Sequence, residues 1–364
     1  MFFPEENADM NRYDRFLGDR SAGFETVNAK PWDRREFVKG VVALAGSAGL
    51  LGYDMRPAAA EPPPEVTKIR LFHSPAICLA PQYLAEELLH LEGFSEVEYV
   101  KEAAEIPGKL MAEGLVDISM WDVPGTIPLL DAGEPIVMLA GVHAGCYELF
   151  GNDRIHTVRD LKGARIGAYA VTGGDYVLIS SILAYIGMDP RKDVTWVVGS
   201  KFTDAMHFFV EGKVDAFMGF APEPQELRSK KIGHVIVNTS QDRPWSQYFC
   251  CAVTASRQFV AKNPVATKRA LRAFLKAADI CAREPERTAR FLVTKGYEPR
   301  YEIGLEVLKS LPYDQWRTAD PADTLRFHGL RLHEVGLIKS SPQKLIAQGT
   351  DWRFLNELKK ELKA

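Results

Sequence analysis

The chain lacks an excess of charge of either sign. Its 45 Lys and Arg against 48 Asp and Glu leave a formal net charge of -3. That balance offers no basic stripe for a nucleic-acid backbone and no polybasic patch for an anionic membrane, so no nucleic-acid partner is expected. Cysteine is sparse. The five residues Cys78, Cys146, Cys250, Cys251 and Cys281 form no Cys-x-x-Cys pair and show no metal-ligand spacing. An odd count leaves at least one thiol unpaired within the chain and excludes a scaffold built wholly from disulfides. Adjacent Cys250 and Cys251 read as buried thiols, because a bridge between neighbours is strained. Enzymatic signatures are missing too: there is no Gly-x-Ser-x-Gly elbow, no Gly-x-x-x-x-Gly-Lys loop and no His-Glu-x-x-His. The eight histidines are scattered, none paired with another at helical metal-ligand spacing. A non-enzymatic protein without catalytic residues, cofactor or metal is the expectation.

What is present is the composition of a soluble globular protein, 46% hydrophobic and 26% charged, over 364 residues. That length suits one large domain or two medium ones. Near the N-terminus, Arg34-Arg35-Glu36-Phe37-Val38-Lys39 resembles the twin-arginine export signal. A weakly apolar stretch from Val41 to Leu51 follows, too short for the roughly 20 residues of a membrane span. Ala58-Ala59-Ala60 offers small residues to a signal peptidase, and Pro62-Pro63-Pro64 reads as a stiff linker. Residues 1–60 are therefore read as a signal and linker, with Arg34 and Arg35 as its core and the periplasm as the destination.

The remainder contains an internal duplication. Strands are predicted at Val66–Phe72, Val97–Val100 and Val116–Met120, separated by a helix opened by Pro81 and stopped by Gly93, and by a shorter one closed by Gly114. The same order returns with strands at Ala164–Ala168, Val194–Val198 and Val214–Met218, and helices closed by Gly187 and Gly212. Glu113-Gly114-Leu115-Val116-Asp117 recurs as Glu211-Gly212-Lys213-Val214-Asp215. Two βαβαβ units imply an α/β protein of two similar lobes, each with a mainly parallel sheet flanked by helices. A returning strand at Tyr248–Thr254 and a helical tail belong with the first lobe. The lobes are then 61–145 plus 246–364, and 146–245, joined by two crossings near Gly145 and Ser246.

Ser74-Pro75, the two Glu-Gly-x-Val-Asp segments, Asp160-Leu161-Lys162-Gly163 and Gly349-Thr350-Asp351-Trp352 resemble the periplasmic solute-binding proteins of nitrate, sulfonate and taurine importers. That superfamily includes binders of thiamine-pyrimidine precursors. The resemblance implies the two-lobed periplasmic-binding-protein fold (type II), hinge closure on a small-molecule ligand, a monomer, and a membrane permease of an ABC importer as partner. It leaves open a periplasmic sensor, or an enzyme of thiamine-pyrimidine synthesis on the same fold, of which only Phe249-Cys250-Cys251 is a faint sign. The ligand is expected at the C-terminal ends of the strands, where loops diverge and helix N-termini point inward. Candidate contacts are Ser74, Pro75 and Ala76 after the first strand, with Gln82 on the helix behind them, and Trp121 and Asp122 after the third. The first crossover offers His143, Cys146, Tyr147 and Glu148. The second lobe offers Thr172, Gly173, Gly174 and Asp175, then Phe220 and Glu223, with Trp245 and Tyr248 on the return. Asp175 reads equally well as a helix cap and Glu223 as a solvated helix start, whereas Trp121 reads as cleft in preference to core, and His143 and Cys146 read first as hinge packing. Four carboxylates without a Lys or Arg favour an amine-bearing or nitrogen-heterocyclic ligand over a simple oxyanion.

Overall fold

The computed structural model describes residues 61–101 and 107–364, so the twin-arginine segment with Arg34 and Arg35 lies outside the described residues. Pro62–Ala364 is one compact unit. The first pass of the duplication comprises β1 (Lys68–Phe72), α1 (Ala80–Leu91), β2 (Glu96–Val100), α2 (Pro107–Ala112), β3 (Ile118–Asp122), α3 (Val123–Ala132) and β4 (Ile136–Ala144). After β5 (Tyr147–Gly151) comes the second pass: β6 (Arg165–Ala168), α4 (Gly174–Tyr185), β7 (Thr195–Val198), α5 (Asp204–Val210), β8 (Ala216–Phe220), α6 (Glu223–Lys230) and β9 (His234–Asn238). Then β10 (Phe249–Ser256) leads into α7 (Arg257–Lys262), α8 (Pro264–Arg283), α9 (Pro285–Thr294), α10 (Tyr301–Ser310), α11 (Pro321–Glu334), α12 (Pro342–Gly349) and α13 (Arg353–Glu361).

The repeated Glu-Gly-x-Val-Asp segment has a physical role. Gly114 and Gly212 take φ values of +74° and +71°, the left-handed turn that ends a helix and releases the chain into the next strand. The aspartate that follows clamps the start of the first strand of its own unit. Asp117 accepts from the Arg70 backbone N–H at 2.8 Å and from its guanidinium at 2.6 Å. Asp215 accepts from the Arg165 backbone N–H at 2.9 Å and its guanidinium at 3.3 Å. Because the aspartates serve the clamp, the third strands begin two residues later than the hydrophobic pattern suggests.

Through the Asp117 clamp, the β2-β1 pair lies edge to edge with the β3-β10-β4 sheet, giving the order β2-β1-β3-β10-β4. The other sheet runs β7-β6-β8-β5-β9. These orders are the same when each strand is matched to its repeat, and each sheet has one reversed strand, β10 or β5, antiparallel to both its neighbours. Those two strands are exchanged. β5 follows β4 yet pairs with β8 and β9, while β10 follows β9 yet pairs with β3 and β4. The tail covers the first sheet: Leu271, Phe274, Leu275 and Ala278 form the fully buried face of α8, against which α1 packs. Each such Leu or Phe contributes about 1.5–3 kcal/mol on burial.

Candidate ligand-binding site

The ends of β3, β6 and β8 and the start of β5 converge on a cavity between the two sheets. It holds about 320 Å³ of atom-free space, of which the centres of water-sized molecules reach about 20 Å³. Its walls are aromatic: Trp121 from β3, Tyr147 from β5, Tyr169 just after β6, Phe202 before α5, and Phe220 at the end of β8. Edge contacts link them, with centroids 5.8 Å apart for Trp121–Phe202, 5.0 Å for Tyr169–Phe202 and 6.0 Å for Tyr147–Phe220. Ser74, Asp122 and the thiols of Cys78, Cys146 and Cys251 supply the polar lining. Across the rim, the Ile77 backbone N–H donates to the Ala221 carbonyl at 3.1 Å.

Asp122 caps α3, its Oδ1 accepting from the Gly125 backbone N–H at 2.6 Å. Burial pushes its pKa up to about 7 against the lowering effect of that bond, so near neutrality it can donate or accept. Trp121 brings an indole Nε1–H that is buried without a hydrogen-bond partner. Burial also holds the Tyr147 and Tyr169 phenols protonated, and hence as donors. The α4 N-terminus approaches this wall closely. A Cβ on Gly174 would lie 2.1 Å from Asp122 Oδ1 and 2.6 Å from Tyr147 Oη, so no other residue fits without displacement. A Cβ on Gly173 would meet the Tyr169 ring at 2.7 Å.

The NMT1/THI5-like family model matches residues 91–288, more than half of the chain. The chain belongs to the NMT1/THI5-like family. A Brucella abortus (strain 2308) relative, described as a candidate binding protein, is 25% identical over 173 residues, 46% of this chain and 53% of that protein. The chain thus spans about half the length of the curated relatives it matches. Among solved structures, the periplasmic nitrate-binding protein NrtA of Synechocystis PCC 6803 superposes with a TM-score of 0.69 at 17% identity, over 83% of this chain and 90% of NrtA. The alkanesulfonate-binding protein SsuA of Xanthomonas axonopodis pv. citri, bound to MOPS, gives 0.64 at 18%, over 81% and 100%. These likenesses establish the periplasmic-binding-protein fold.

In this NMT1/THI5-like chain the residues singled out from the sequence fall in three places. Ser74, Ala76, Trp121, Asp122, Cys146, Tyr147 and Phe220 line the cavity, and Gly173 and Gly174 back its wall. A second group lies just behind. Asp175 folds onto the backbone N–H groups of Tyr169 (2.8 Å) and Tyr176 (2.7 Å), holding the loop that carries Tyr169. Burial, with the Asp122 charge adding to it, raises Asp175 to about 8, and burial does the same for Glu223. His143 is fully buried beside the Cys251 thiol.

The third group does not reach the cavity. Pro75 is exposed and Thr172 half-buried on the loop surface. Gln82 is consumed in stitching β1 to β3, donating to Phe72 O at 2.7 Å and accepting from Ser119 Oγ at 2.6 Å and the Met120 N–H at 2.8 Å. Strand alternation turns Glu148 away from Tyr147 and into an ion pair with Arg228 of α6. Trp245 and Tyr248 pack against α11 instead, Tyr248 stacked on Phe327 at 4.1 Å and Trp245 edge-on to it at 5.4 Å. Five lining residues, Cys78, Leu79, Tyr169, Phe202 and Cys251, escaped the sequence reading. Tyr169 and Phe202 follow strands and obey the same positional rule as Trp121. Cys78 and Cys251 carry no such signal.

Proposed function

We propose that this chain is the solute-binding component of an ABC-type importer, and that its ligand is a small, flat, nitrogen-bearing solute. Residues 61–145 with 246–364, and 146–245, act as two lobes that hinge at the β4–β5 and β9–β10 crossings and close on the solute as a monomer. Export through the Arg34-Arg35 signal places it in the periplasm. The observation that carries the ligand assignment is the lining itself: among the described residues it has five aromatic rings and one carboxyl, without a Lys or Arg. Rings grip a planar solute by stacking and edge contact. Asp122 answers an N–H or ammonium donor, and the unpaired Trp121 N–H answers an acceptor such as a ring nitrogen or carbonyl. A bare oxyanion would face Asp122 without a counter-cation, which burial makes costly.

Native mass spectrometry of the protein purified without dialysis should show a retained small molecule. A thermal-shift screen should show stabilisation by amines or pyrimidine-like heterocycles. Stabilisation confined to nitrate, sulfate or bicarbonate would overturn the ligand assignment, and a saturable shift with none of these classes would remove its support.

A further inference from the structure

The cavity floor carries side chains that gripping a flat solute does not require. Cys251 on β10 sits directly across from His143 on β4, and Cys146 stands at the β4–β5 crossing. Cys78 reaches in from the turn Ile77–Leu79. The ligating atoms of Cys78, His143 and Cys251 lie within 4.8 Å of one another, as do those of Cys146, Cys250 and Cys251. Cys251 belongs to both groups, its sulfur 3.9 Å from that of Cys146 and 3.9 Å from that of Cys250. A tetrahedral ion bound at about 2.3 Å by sulfur sets its ligands about 3.8 Å apart. The Cys251 sulfur therefore already stands at the edge length of such a shell from the sulfurs of Cys146 and Cys250.

Three further features support this arrangement. Adjacent residues on a regular strand point to opposite faces, which would separate Cys250 from Cys251. Irregular β10–β4 pairing on either side of Cys251, a bulge, lets both thiols reach one cluster. The histidine is also oriented as a ligand. Its Nδ1 lies 3.2 Å from the Ala144 carbonyl, which takes the ring proton, and its buried Nε2 has no hydrogen-bond partner. Metal-bound histidines are held this way, one nitrogen donating to a carbonyl and the other free for the ion. Tyr313 fixes both sides of the set: its ring packs edge-on to His143 at 5.1 Å, and its hydroxyl donates to the Cys78 carbonyl at 3.0 Å.

We propose that Cys251, with Cys78 and His143 on one side and Cys146 on the other, binds one thiophilic d10 cation, Zn²⁺ or Cu⁺, at the floor of the cavity. Thiolate and imidazole donors suit both ions, and Cys78, Cys146 and Cys251 line the cavity, which provides the route of entry. Cys250 flanks the shell.

The full chain, reduced and kept free of oxygen, is titrated with Zn²⁺ and separately with Cu⁺, each against a chromophoric chelator. One equivalent of at least one ion is expected, and the two arms assign which. Co²⁺ in place of Zn²⁺ should give thiolate-to-metal charge-transfer absorption. Cys251→Ser should weaken binding by a factor on the order of 100 or more, and Cys78→Ser or Cys146→Ser by at least about tenfold. Cys281→Ala, which alters a buried thiol outside both groups, should bind like the parent. Because Cys251→Ser could disturb the central strand, a wild-type readout accompanies it: the bound ion should protect the cluster thiols from alkylation. Binding of neither ion, binding that survives Cys251→Ser, or thiols alkylated equally with and without the ion would overturn the proposal. Solute binding is read separately by thermal shift, so failure of one reading leaves the other standing.

Discussion

Asp122→Asn isolates the carboxyl on the cavity wall, because Asn caps a helix about as well as Asp and can keep the Gly125 contact. Burial raises Asp122 from its ordinary 3.8 to about 7. An acid whose pKa is higher in the folded state binds more protons there than when unfolded, so stability falls as pH rises. The penalty is absent below the unfolded value, grows between about 4 and 7, and is complete above the folded value. About three pH units at 1.36 kcal/mol each give a ceiling of about 4 kcal/mol at pH 8, against about 1.5 at pH 5. Relaxation and water entry reduce both figures, so the gain from Asp122→Asn should grow by about 2 kcal/mol between pH 5 and pH 8. Asp175 contributes with the same sign, since the Asp122 charge helps to raise it. Urea denaturation of the ligand-free parent and variant at pH 5, 6, 7 and 8 reads this directly. A gain that is flat or shrinks with rising pH would refute the account of a buried, undercompensated carboxyl. The same variant should bind an amine ligand at least about tenfold more weakly, having lost the charge-assisted hydrogen bond.

Gly174→Ala should leave the fold intact but abolish the ligand-induced thermal shift, because the new methyl would sit 2.1 Å from Asp122 Oδ1 and force the α4 N-terminus away from the cavity wall. A wild-type ligand affinity in that variant would show that this close approach is not needed for binding. Replacing both Arg34 and Arg35 with Lys should leave unprocessed precursor in the cytoplasm when fractions are probed by immunoblot. Normal periplasmic recovery would exclude the twin-arginine route.

The order of elements was legible in the chain because it rests on local physics. Helices ended where Gly114 and Gly212 permit a left-handed turn, and the α8 face followed from the spacing of Leu271, Phe274, Leu275 and Ala278. Residues just past the strand ends expected from the sequence, such as Trp121 and Phe220, could be placed near the cavity by the same reasoning. The exchange of β5 and β10 between sheets is different: it depends on hydrogen-bond partners more than 60 residues apart in the chain. Neighbours across a sheet leave no mark on local periodicity, so nothing near Cys251 announces that it will face Asp122 on one side and His143 on the other. Likewise, Trp245 and Tyr248 have the composition of cleft residues, but α11 arrives from far along the chain and covers them. Strand alternation turns Glu148 toward Arg228, and Gln82 is used up between β1 and β3. Short-range sterics and hydrophobic spacing write the secondary structure into the sequence. Which side chains meet in the cavity is set by long-range packing, where each polar group goes to whichever partner the fold brings within reach.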